Sequence, residues 1–208
     1  MRVVLIHGLT AAVEWWGTTA EALRAEHDVE VLELPHLRIP EAAQWLADRL
    51  AQTEEPTALV GHSSGGATAV LAATAAPSAV QRLVLLAPAG VFASRSRLAY
   101  AFPLAKQALQ TVSRVPQMVR DTWRVGPWRL WRISSDLLRV DLVPELPRVE
   151  ARTLVVWGAG DPLLSASTGT TFAELIPDAR LVVLPGCGHI PMLEAPDELN
   201  RELLEFLR

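Results

Sequence analysis

The chain has 208 residues, half of them apolar and a fifth charged, with a net charge of −4. That length supports one domain, residues 1–208, with a full hydrophobic core; the composition excludes a disordered chain, and no apolar run approaches the ~18 residues of a membrane span. A single cysteine, Cys187, excludes an internal disulfide and is compatible with the cytoplasm, where the protein is expected.

The run Arg2 to Ile6 reads as a strand, too short for the core of a signal peptide, and it leads directly into His7-Gly8. Further Val- and Leu-rich runs near 29–34, 57–61, 82–87, 153–157 and 180–184 read as strands. Helical patterns near 16–26, 40–52, 64–76, 166–176 and 196–207 lie between them, Pro40 and Pro196 suiting first-turn positions. Such alternation predicts an α/β fold: a mostly parallel sheet of about six strands with helices on both faces.

Residues 92–148 break the rhythm. They hold Pro103, Pro116, Pro127, Pro144 and Pro147, helical patterns between them, and Trp123, Trp128 and Trp131. A structureless insertion of this length is uncommon in a compact domain, so short helices crossing the sheet as a helical lid are expected. The segment carries nine arginines and one lysine against four acids. Solvated arginine faces on amphipathic helices account for this; with no recognition module and an acidic chain, nucleic acid is not an expected partner.

The pattern Gly61-His62-Ser63-Ser64-Gly65-Gly66 stands between the strand ending near 61 and a helical run. A serine there sits on a tight, strained turn that pushes its hydroxyl out of the sheet's C-terminal edge, and glycines are needed because a β-carbon would clash. Serine is a poor nucleophile at neutral pH, so a base must take its proton. His27 reads as solvated, His62 as a core residue pointing away, His7 as an anchor of its own loop, and His36 as a residue of the rim. His189, in a glycine-flanked loop after the last strand, is the favoured base. Asp161, on the turn after Val155-Val156-Trp157-Gly158, would hold the imidazole in one tautomer, though it could simply cap the helix beginning near Ser165. Acyl transfer also needs oxyanion donors, and the amides of Leu9 and Ser64 suit that task.

His7-Gly8, Gly61-His62-Ser63-Ser64-Gly65, Trp157-Gly158 with Asp161, Gly188-His189 and the tail Glu194-Ala195-Pro196 together resemble the α/β-hydrolase superfamily, in its esterase, lipase and C–C-bond hydrolase branch. The resemblance covers nearly the whole chain outside 92–148 and implies Ser63 as nucleophile, His189 as general base and acid, and Asp161 as the orienting carboxylate. The family commonly begins with an extra strand pair. Here Met1 stands almost at the His-Gly strand, so six strands are expected instead of eight, with 29–34 on an edge guarded by Glu30 and Glu33.

The expected reaction is cleavage of a carboxylic ester or thioester through an acyl-Ser63 intermediate. No metal or cofactor is expected. The substrate would be a small, mainly hydrophobic molecule touching Trp123, Trp128 and Trp131. C–C cleavage, lyase or cyclase chemistry with the same triad is one alternative, and a non-catalytic binding protein of the same fold is another.

Overall fold

A computed structural model describes residues 1–9, 13–35, 37–53, 55–91, 119–120, 123 and 126–208. Residues 92–118, nearly half of the expected lid, lie outside the described residues, as does His36. The strands are β1 Arg2–Ile6, β2 Asp28–Leu32, β3 Thr57–His62, β4 Val80–Leu86, β5 Arg152–Gly158 and β6 Ala179–Leu184. They form one six-stranded sheet in the order β2-β1-β3-β4-β5-β6 with every neighbouring pair parallel. The six expected strands are all present, and β2 is on the edge. Its Glu30 is not left bare: Arg2 and Arg49 each donate to it at 2.8 Å.

Among the described residues the α-helices are α1 Gly17–Leu23, α2 Ile39–Leu50, α3 Ser64–Ala75, α4 Pro127–Leu137, α5 Ala166–Leu175, α6 Pro191–Glu194 and α7 Pro196–Leu207. The first is shorter than its pattern suggests, ending at Leu23 before a turn. Alternation along each strand divides the core in two. Val4, Ile6, Leu59, Leu83, Leu85, Val155 and Trp157 face α2, α3 and α5. Val3, Leu5, Ala58, Val60, Val84, Leu86 and Val156 face Trp15, Trp16 and α1 on one side of the chain and Leu199, Leu203 and Phe206 of α7 on the other. Central strands buried on both faces have no polar side to show. This is why they read as continuous apolar runs.

All strands run the same way, so their C-terminal ends share one edge. The loops leaving β1, β3, β5 and β6 emerge there, which sets the stage for the site. Helix α4 is tied to the loop before α2: the Arg38 guanidinium grips the Asp136 carboxylate at 3.0 and 2.8 Å. No helix among the described residues is long and apolar enough to cross a membrane.

Candidate active site

Ser63 occupies the turn between β3 and α3 with φ 52° and ψ −116°, a conformation that L-residues rarely adopt. Hydrogen bonds hold it there: its amide donates to the Leu86 carbonyl at 3.0 Å, and its carbonyl accepts from Ala67 at 3.2 Å and Ala89 at 3.0 Å. The flanking glycines are a packing necessity. A β-carbon on Gly65 would lie 2.3 Å from the His7 carbonyl oxygen, and one on Gly61 would lie 2.6 Å from that of Gly65. Only bare backbone allows β1, β3 and α3 to close so tightly around the hydroxyl.

Asp161 leaves the turn after β5. Its Oδ1 accepts the amides of Leu163 at 2.8 Å and Leu164 at 3.0 Å, and its Oδ2 accepts from His189 Nδ1 at 2.7 Å. The carboxylate is therefore held from behind and presents one oxygen forward. The capping alternative falls to a neighbour, because α5 is capped by the Ser165 hydroxyl, which accepts from Ser167. With Nδ1 donating to Asp161, the ring's Nε2 is left to accept the Ser63 hydroxyl, 3.1 Å away. The Asp161 side chain is fully covered and that of His189 is 7 % exposed, so the pair is shielded from competing water.

The loop carrying His189 is seated on the end of β5. Gly160 donates to the Cys187 carbonyl at 2.8 Å, and Ala159 to that of Leu184 at 2.9 Å. These bonds join the Asp161 turn to the His189 loop, which explains how residues 28 positions apart keep a 2.7 Å contact. Cys187 is buried beside them, and burial, with the Glu194 and Asp161 carboxylates nearby, pushes its thiol up to about 12.

The other histidines fall in different places. His7 donates from Nδ1 to the Gly8 carbonyl at 2.7 Å. His27 was expected in solvent, but both its ring nitrogens are covered and have no hydrogen-bond partner among the described residues. His62 does not point away from the site. Strand alternation puts it on the face of Ala58 and Val60, the same face on which Cys187 and Ile190 of the His189 loop are buried. Its Nε2 donates to the His189 carbonyl at 2.9 Å, and the two rings lie 5.1 Å apart. Burial, reinforced by the neighbouring His189, holds the His62 ring down at about 3. It is a neutral prop.

Ser64 begins α3, whose first amides have no acceptor within the helix, and Leu9 follows Gly8 in the loop after β1. Trp123, Trp128 and Trp131 stand open to solvent, the last two stacked with ring centroids 5.0 Å apart. Glu194, which the sequence marks only as part of the family-like tail and with no role at the site, accepts the amides of Gly188 at 2.7 Å and Ile190 at 3.0 Å on its carboxylate.

A strained serine on a strand-to-helix turn, above a parallel sheet with a histidine loop on the same edge, defines a class of fold and site. Residues 3–202 match the family described as the alpha/beta hydrolase family, and the chain belongs to it. It is 30% identical to a 2-hydroxy-6-oxo-6-phenylhexa-2,4-dienoate hydrolase of Comamonas testosteroni, over 72% of this chain and 62% of that protein. It is 26% identical to esterase YbfF of Escherichia coli (strain K12), over 99% of this chain and 92% of that one. Among solved structures, a membrane phospholipase A described as a bacterial virulence factor superposes with a TM-score of 0.84 at 27% identity, covering 99% of this chain and 78% of that one. The chain spans less than two thirds of the length of the first curated relatives it matches, 62% and 63% in two of them.

Proposed function

We propose that the chain is a serine hydrolase that cleaves a carboxylic ester or thioester through an acyl-Ser63 intermediate. The observation that carries this reading is the continuous hydrogen-bonded line from Asp161 through His189 to Ser63, at 2.7 and 3.1 Å. Ser63 Oγ attacks the carbonyl carbon while its proton passes to His189 Nε2, and Asp161 steadies the imidazolium that forms. The Leu9 and Ser64 amides receive the oxyanion, a donor of this kind lowering the barrier by about 3 kcal/mol. The tetrahedral adduct collapses, the C–O or C–S bond breaks, and the leaving alcohol or thiol takes the proton from Nε2. Water, deprotonated by the same nitrogen, then attacks the acyl-serine, releasing the acid and restoring the hydroxyl.

In this reading α4 belongs to a helical lid and is fastened to the core through Arg38 and Asp136. Trp123, Trp128 and Trp131 on it offer apolar surface to a hydrophobic substrate, and the single buried cysteine suits a cytoplasmic setting. The similarity to a dienoate hydrolase supports a second reading, C–C cleavage by the same residues.

Short p-nitrophenyl esters and a vinylogous diketone, offered to the wild type and to Ser63→Ala, test both. Ester turnover lost in Ser63→Ala, with a fluorophosphonate adduct on Ser63 of the wild type, is the expected result. Cleavage of the diketone alone transfers the case to the second reading. Activity undiminished in Ser63→Ala overturns both.

A further inference from the structure

We propose that Glu194 is a positioning residue for His189, acting through the backbone on either side of it; this rests on His189 being the base assigned above. One carboxylate oxygen of Glu194 takes the Gly188 amide at 2.7 Å and the other takes the Ile190 amide at 3.0 Å. The Ile190 amide belongs to the peptide unit that follows His189 and the Gly188 amide to the one between Cys187 and Gly188, so a single side chain holds the loop at two points that bracket His189. Glu194 is itself tied to the same loop, because its own amide donates to the Ile190 carbonyl at 3.0 Å. Carboxylate and backbone thus close a ring around Ile190, in the manner of a capping box with the acid four residues past the cap.

The carbonyl of His189 is held as well, because His62 Nε2 donates to it at 2.9 Å. Glu194 from one side and His62 from the other leave the His189 backbone little freedom. The benefit is accuracy at the far end of the side chain. The ring must meet Asp161 Oδ2 and Ser63 Oγ together, at 2.7 and 3.1 Å, and a small rotation of the backbone would lose one of them. Misplacement of reacting groups by about 1 Å costs on the order of 10²-fold in rate.

An anion is also the right chemistry for the task. Two N–H groups converge, and a carboxylate has acceptors for both, whereas a carboxamide has one acceptor and turns a donor toward the second amide. Glu194→Gln keeps the volume and loses half the grip. Glu194→Asp keeps the charge but is one methylene short. Glu194→Ala removes both bonds.

The test compares these three variants with the wild type and with Ser63→Ala by ester kinetics, fluorophosphonate labelling rate at Ser63, and the low-field NMR resonance of the His189 Nδ1 proton. That resonance reports the bond to Asp161 with no turnover needed. Glu194→Ala is expected to lose about 10²-fold in kcat and in labelling rate with KM nearly unchanged, and its low-field proton broadens or moves. Glu194→Gln is expected to recover part of each. If labelling and the resonance match the wild type while only the melting temperature falls, Glu194 is merely structural and the proposal is overturned. Wild-type protein that neither turns over nor labels at Ser63 would instead overturn the hydrolase reading, whatever the resonance does in the Glu194 variants.

Discussion

The His62 ring lies beneath the loop it supports, its Nε2 donating to the carbonyl of His189 at 2.9 Å. Nδ1 of the same ring is buried with no partner among the described residues, and a β-carbon on Gly8 would come within 2.9 Å of it. A second proton has nowhere to be solvated, which is the physical origin of a value near 3.

That depressed value makes His62 a source of acid sensitivity. The unfolded chain takes up a proton on this ring near the ordinary histidine value, about 6.5, and the folded chain refuses it until about 3. Between those limits the unfolded state binds more protons, so stability falls as pH falls, by at most about 1.4 kcal/mol per unit from this one group. Urea denaturation of the wild type from pH 7 to pH 4 is expected to show that loss, and His62→Gln is expected to flatten it. Equal slopes for the two proteins would contradict the assignment.

Much of this architecture was legible in the chain. β1, β3, β4 and β5 are buried on both faces, so they stand out as apolar runs between helical patterns. Ser63 is announced by its glycines, and Asp161 and His189 by their places after strand ends. The roles of His62 and Glu194 were not legible. Which face of β3 His62 occupies depends on register, and only the packing of Cys187 and Ile190 on that face brings the His189 loop over it. Glu194 acts on amides that any residue could have provided, so the side chains it serves carry no trace of it.

Gly158 should be among the least replaceable residues. A β-carbon there would sit 1.9 Å from the Gly188 carbonyl oxygen and 2.5 Å from that of Cys187, both backbone atoms that cannot turn aside. Gly158→Ala must push the His189 loop off the end of β5, costing about 1–3 kcal/mol from overpacking and a larger share of activity than of stability. Gly17→Ala is the control, because no atom of the described residues lies within 4 Å of its β-carbon position. Thermal melts and ester assays on both variants decide the matter; similar losses in the two would refute the steric account.

The Arg38–Asp136 pair fastens α4 to the loop before α2. Asp136 is almost fully covered, and the hydrogen bonds from Arg38 hold its carboxyl below the usual carboxylate range despite the opposing effect of burial. A carboxyl lowered in the folded state gives stabilisation that is complete above its ordinary value, about 3.9, and lost as pH drops through the folded one. The tie should therefore be intact at neutral pH and loosen in acid. Asp136→Asn at pH 7 is expected to raise amide exchange in 127–137 while leaving β3 and β5 protected. Unchanged exchange in that helix would mean that other contacts hold it.

Cys187 offers an independent probe of the same loop. Burial, with Glu194 and Asp161 adding to it, lifts its thiol to about 12, so at pH 8 the thiolate is about one part in 10⁴ of the native population. Its Sγ also turns toward the Gly188 carbonyl at 3.6 Å, within the segment that Glu194 grips. Modification by a small disulfide reagent at pH 8 should accordingly be slow in the native protein and fast in urea. Because the reagent must wait for the loop to lift from β5, the native rate measures how often His189 leaves its place. Glu194→Gln and Gly158→Ala should both raise that rate, and the ordering of the variants should follow their loss of ester turnover. A thiol that reacts at the denatured rate in the folded wild type would show that the loop is open, and the hydrogen-bonded line through His189 could not then be its resting arrangement.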